Sequence, residues 1–110
     1  MKKYTEFHGD IQISEIGKEL RRIVSIEKKS FKIMTGYGST TGVSLSKKSA
    51  LKSLKNMKKE GLIKGYLPGE AKHVLLNEKS PFYETKLTYE SQIKSDVDYG
   101  NDGIIFVFVI

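Results

Sequence analysis

One stretch limits the fold of this chain more than any other. Phe31-Lys32-Ile33-Met34, short and apolar-rich, leads straight into Thr35-Gly36-Tyr37-Gly38-Ser39-Thr40-Thr41-Gly42, and soon after comes Ser46-Lys47-Lys48-Ser49-Ala50-Leu51-Lys52-Ser53-Leu54-Lys55. The order is strand, glycine-rich loop, helix, the first half of a crossover that must return to a sheet. Closely spaced glycines let backbone N–H groups turn toward one point, and the start of the next helix adds partial positive charge there. Phosphate suits such a place.

The flanking segments complete a layered pattern. Alternation across Tyr4, Glu6 and His8 predicts a strand over 3–8. Ile13, Ile16, Leu20 and Ile23 recur at helical spacing, which predicts a helix over 14–27 with Ser14 as its cap. Ser46 is expected to cap a second helix that ends at Gly61 and turns Ala50, Leu51, Leu54 and Met57 inward. Leu62–Leu67 reads as a third strand, stopped by Pro68-Gly69. Residues 71–76 fit helix or strand equally. Ser80-Pro81 starts a helix to about Gln92, and after the turn Asn101-Asp102-Gly103 the chain closes with a strand over 103–110 whose direction the pattern leaves open. The expected architecture is α/β. It is a two-layer sandwich with a mixed four-stranded sheet, a βαβαβ core and helices mainly on one face, in a single domain over residues 1–110.

Charge sharpens the reading. The chain carries +6 at neutral pH, but residues 1–65 hold 15 Lys and Arg against 6 Asp and Glu, whereas residues 66–110 hold 4 against 7. A field oriented in this way suits a polyanion on one side; a merely lysine-rich solvated surface gives the same numbers. With no cysteine and only His8 and His73 as histidines, disulfides and thiolate metal sites are excluded, and no metal site is expected. A magnesium ligated through Glu6 stays compatible with the residues. The first residues lack a signal-peptide core and no run nears the ~20 apolar residues of a membrane span. The expectation is cytoplasmic, without a membrane partner.

Gly36-x-Gly38-x-x-x-Gly42 has one residue too many for the dinucleotide fingerprint and lacks the Gly-Lys-Ser/Thr end of a P-loop, which argues against a nucleotide cofactor. Lys48, Lys52, Lys55 and Lys59 form a stripe that could grip phosphates without reading sequence, or simply face water. Tyr37 at the loop tip could stack on an unpaired base. Glu6 and His8, on one face of the expected first strand, would make an acid/base pair near Thr35 and Gly36 at the end of the second. His73 has no motif around it and is left as a surface or packing residue.

Thr5-Glu6-Phe7-His8-Gly9 and Thr35-Gly36-Tyr37-Gly38 resemble, in order and placement, the two motifs of the Smr (small MutS-related) domain, Leu-Asp-x-His-Gly and His-Gly-x-Gly. Gly103 to Phe108 is similar to that family's last strand. The likeness covers 4–67 and 103–110 and leaves 68–102 as an insertion. The resemblance implies a two-layer α/β sandwich like the C-terminal domain of translation initiation factor three. It also implies nucleic-acid binding and, in several members, endonuclease activity. Glu6 then stands for an aspartate one methylene shorter, and His8 for the family histidine. Thr35 replaces the second histidine; it can donate a hydrogen bond but cannot act as a general acid near neutral pH. Catalysis would fall to His8, Glu6 and Thr35. Phosphate contact would fall to Gly36, Tyr37, Gly38, Ser39, Thr40, Lys47, Lys48, Lys52 and Lys55. The expected partner is RNA or structured DNA. A non-catalytic module docking on ribosomal RNA or on an acidic protein is the alternative, with 68–102 as its protein contact.

Overall fold

The computed structural model describes residues 1–36 and 44–109. Its elements are β1 (Lys2–Tyr4), a 3-10 turn Ile13–Glu15, α1 (Ile16–Ile26), β2 (Phe31–Met34), α2 (Leu45–Lys59), β3 (Gly65–Pro68), a 3-10 turn Gly69–His73, α3 (Tyr83–Ile93) and β4 (Ile104–Phe108). The strands form one sheet in the order β1-β2-β4-β3. β1 pairs parallel with β2, whereas β4 lies antiparallel to both β2 and β3. The first three strands therefore run the same way, and their C-terminal ends meet the start of β4 at one end of the sheet.

Every residue of β4, Ile104-Ile105-Phe106-Val107-Phe108, is buried, as a central strand covered on both faces requires. Ile105 and Val107 join Phe31, Ile33 and Tyr66 on the face that α1 and α2 cover with Ile16, Leu20, Ile23, Ala50, Leu54 and Met57. This is the α/β sandwich with its two layers. Ile104, Phe106 and Phe108 point the other way, toward Leu67, Ala71, Ile93 and Tyr99. There Tyr89 of α3 stacks on Phe108 with ring centroids 4.3 Å apart, and Tyr99 meets Phe106 edge-on. α3 comes close to β3 because residue 65 is glycine: a Cβ there would lie 3.0 Å from Thr85 Oγ1.

The edge strand β1 and its neighbour β2 carry lysines into this second face. Lys32 is almost wholly buried, with Nζ 2.8 Å from Asp96 Oδ1 and 2.8 Å from Asp98 Oδ2; Lys3 Nζ lies 3.2 Å from the same Asp98 oxygen. Burial pulls the Lys32 ammonium down, but its hydrogen bonds to Asp96 and Asp98 outweigh that and leave it raised. Part of the acidic charge of the C-terminal third is thus spent inside the fold on basic residues of the N-terminal part. No helix among the described residues is long and apolar enough to cross a membrane.

Candidate functional site

The end of the sheet where β1, β2 and β3 finish gathers His8, Thr35, Gly36 and Lys47 from among the residues singled out in the sequence. β1 stops at Tyr4, four residues earlier than the alternation predicts. Phe7 is fully buried in the first core, and the chain coils around it, with His8 N donating to Thr5 O at 3.1 Å and Asp10 N to Glu6 O at 3.1 Å. Gly9 takes φ +94°, a left-handed conformation that favours glycine. Glu6 and His8 therefore sit in a turn rather than on a shared strand face, and no hydrogen bond or ion pair among the described residues joins them. The Glu6 charge acts instead on Arg22, whose guanidinium is held up first by its hydrogen bond to Glu19.

His8 is nevertheless brought against the glycine loop. Gly36 has φ +78°, and a Cβ built on it would fall 2.7 Å from His8 Cδ2 and 2.9 Å from Nε2. The exposed imidazole lies on the bare backbone of residue 36, a contact that only glycine permits. Thr35 is buried beside it. Its N–H donates to Gly103 O at 2.8 Å, its hydroxyl reaches the same oxygen at 3.4 Å, and its carbonyl accepts from Ser44 Oγ at 3.2 Å. Thr35 fastens the end of β2 to the start of β4 and to α2, and its hydroxyl is already engaged.

Ser44 caps α2: its Oγ accepts from Lys47 N at 2.9 Å, so the helix begins earlier than a cap at Ser46 would allow. At the far end Glu60 is the C-cap and Gly61 follows at φ +78°, the expected terminator. Ser49 Oγ donates to Ile13 O on the α1 side, and Ala50, Leu54 and Met57 face the sheet. Helical spacing then aims Lys48, Lys52, Lys55 and Lys59 away from the sheet, and all four are exposed. Lys47 differs. Its side chain is 12% exposed and its ammonium is held by Glu70 Oε2 and, at 2.9 Å, by the Asp102 carbonyl oxygen. It is committed to the fold, apart from the outward stripe. Tyr37, Gly38, Ser39 and Thr40 lie outside the described residues.

Residues 68–102, set aside as an insertion, reach this same end. Glu70 follows β3, and Asn101, Asp102 and Gly103 precede β4. Asn101 Oδ1 accepts from Gly103 N at 2.8 Å, and a Cβ on Gly103 would lie 3.3 Å from the carbonyl carbon of Gly36. Pro68-Gly69 is legible as a strand stop and Asn101-Asp102-Gly103 as a turn, but nothing in their spacing says that the two would pack together, as they do through Gly100 N donating to Gly69 O at 3.0 Å. Next to them Glu70, His73, Tyr99, Gly100, Asn101 and Asp102 line an open cleft of about 620 Å³. His73, without a motif in the sequence, packs there over Gly100, whose φ is +113°. Among the described residues no group of three or more histidine and acidic side chains is placed to hold a metal ion.

The arrangement offers an exposed imidazole for proton transfer at a strand end, beside a backbone free of side chain, and a cationic helix leading away from it. Comparison with protein-family models, curated proteins and solved structures returned no match.

Proposed function

We propose that this chain is an Smr-like nucleic-acid-binding domain. In this reading the phosphate backbone runs along the outer face of α2 and reaches the His8–Gly36 end of the sheet. One observation carries the reading: the strand end where His8 rests on Gly36 is tied, through Thr35 and Ser44, to the start of a helix with six lysines and no acidic residue. Lys48 to Lys59 span about 16 Å of helix axis at 1.5 Å per residue. Lys47 and Lys48 fall in the first turns, the positive end of the helix dipole, where lysine is unfavourable by itself. Glu70 answers Lys47; a bound polyanion would answer Lys48. RNA or structured DNA meets this requirement.

If a phosphodiester is cut, His8 is the group that moves the proton, as general acid or base. Glu6 is not positioned to orient it, and Thr35 contributes through backbone placement. These two features favour the second reading, a binding module without chemistry that docks on ribosomal RNA or an acidic protein partner. The deciding experiment incubates end-labelled single- and double-stranded RNA and DNA with the protein and with His8→Ala, with and without magnesium. Cutting by the parent that His8→Ala abolishes assigns an endonuclease. Binding without cutting assigns the module, and absence of binding to every probe refutes the nucleic-acid reading.

A further inference from the structure

We propose that the groove between α2 and residues 68–82 is a docking site for an acidic protein segment anchored by an apolar side chain. Leu51, Ala71, Val74, Leu76 and Phe82 line this groove together with the paired Lys47 and Glu70, and its volume is about 370 Å³. At Leu76 it adjoins a depression of about 200 Å³ that Leu75, Tyr83 and Leu87 help to bound. Leu75 is 99% exposed, Leu87 69% and Val74 46%. α3 buries Thr85 and Ile93 and leaves Leu87 outward. Three large apolar side chains facing water around two adjoining hollows form the kind of surface that proteins keep for a partner.

The surrounding charge selects the occupant. The α2 wall carries Lys47, Lys48, Lys52, Lys55, Lys58 and Lys59 without one acidic residue. Lys48 and Lys55 stand three residues before and four after Leu51, on the same surface of the helix. Lys47 is answered by Glu70, whereas the other five have no ion-pair partner among the described residues. A nucleic acid would satisfy those lysines but brings no aliphatic side chain for the groove. A second copy of this chain meeting it face to face would set lysine against lysine. An apolar anchor flanked by carboxylates satisfies both features, and neutral apolar peptides would leave the lysines unanswered. The groove stands independently of any chemistry at His8, but its flanking lysines Lys48 and Lys55 are those the nucleic-acid reading also uses, so an acidic segment and a nucleic acid would compete for α2.

The test uses a random glutamate–tyrosine copolymer as the probe and poly-glutamate of matched length as the charge-only control. Binding is read by fluorescence anisotropy for the parent and for Val74→Ser/Leu75→Ser/Leu87→Ser, with circular dichroism as the check on folding. The copolymer should bind the parent at least tenfold more tightly than poly-glutamate. The triple variant should lose that preference while binding poly-glutamate as before, and Leu75→Ser alone, at a wholly exposed position, should lose part of it. Equal affinity for the two polymers, or a preference that survives both variants, overturns the proposal. So does sedimentation that finds the parent dimeric and the triple variant monomeric, since a second copy would then be what covers the groove.

Discussion

At the scale of single residues, Gly36 and His8 are the tightest test of the site. Any side chain at residue 36 meets two costs: a φ of +78°, which L-residues adopt at about 1–2 kcal/mol, and the His8 ring within 3 Å of the new Cβ. Gly36→Ala should therefore destabilise the protein by more than the backbone cost alone. In a His8→Ala background the steric part vanishes and the backbone part stays. Denaturant titration of the two single variants and the double variant should give a coupling of at least ~0.5 kcal/mol, with Gly36→Ala costing less when His8 is absent. Simple additivity would mean that the imidazole does not rest on this glycine in solution.

At the scale of elements, α2 decides how the lysines are presented, and its first turn hangs on Ser44. Ser44→Ala removes both the cap to Lys47 N and the bond to Thr35 O, and should cost about 1 kcal/mol or slightly more. Ser46→Ala, which removes no described hydrogen bond, should stay within about 0.5 kcal/mol of the parent in the same thermal or chemical melts. The serine spacing alone favoured Ser46, since the loop ahead of it has no periodicity that fixes where helix begins. What carried a strong local signal was legible: β2, the body of α1, the end of α2 at Gly61, and β4 as the closing strand. β1 was overextended because Phe7, apolar between two polar residues, fits a strand alternation as well as it fits a plug in a turn. α3 was foreseen from Ser80-Pro81, but its face was not. Thr85 is buried against Gly65 while Leu87 faces water, and hydrophobicity cannot rank a threonine above a leucine.

The site shows the same division. His8 and Gly36 were legible because each lies in the segment that follows a strand of one parallel pair, and parallel neighbours bring like ends together. Glu70, Asn101 and Asp102 were not, because their approach depends on β4 entering antiparallel between β2 and β3, a choice that the sequence pattern left open. The pairing of Lys47 with Glu70 followed from that choice. A stripe of lysines at helical spacing could not reveal that its first neighbour would be turned sideways and neutralised.

At the scale of the whole molecule, the buried cluster of Lys32 with Asp96 and Asp98 ties β2 to the segment leading into β4. Lys32→Met would leave two largely buried carboxylates without their main partner and should cost about 3 kcal/mol at neutral pH. The pH dependence follows from the directions of the shifts. The Asp98 carboxyl is held below its ordinary value first by the hydrogen bond from Lys32, against burial, with Lys3 adding to it. Its contribution is thus complete above about pH 4, the unfolded value, and is lost as pH falls through the lower folded value. Lys32 is raised, so its contribution is complete below about pH 10 and is lost as pH climbs through the higher folded value. Burial, and then Glu90, push the Tyr99 phenol up, which adds to the alkaline loss from about pH 10. Melting curves should show a plateau between these limits. The deficit of Lys32→Met should shrink on acidification, because protonated carboxyls are cheaper to bury; a constant deficit from pH 7 to pH 3 would deny the ion cluster its role.

Whether the outward lysines of α2 grip a phosphate backbone is read in the salt dependence of binding. Anisotropy titrations of a labelled single-stranded RNA, repeated over a range of salt concentrations, give the slope of log affinity against log salt for the parent and for Lys48→Ala/Lys52→Ala/Lys55→Ala. Each lysine that neutralises a phosphate on a single strand contributes about 0.7 to that slope, so the triple variant should bind more weakly with a slope shallower by about 2. An unchanged slope and affinity would place the nucleic acid elsewhere on the molecule and rule out α2 as its phosphate-binding face.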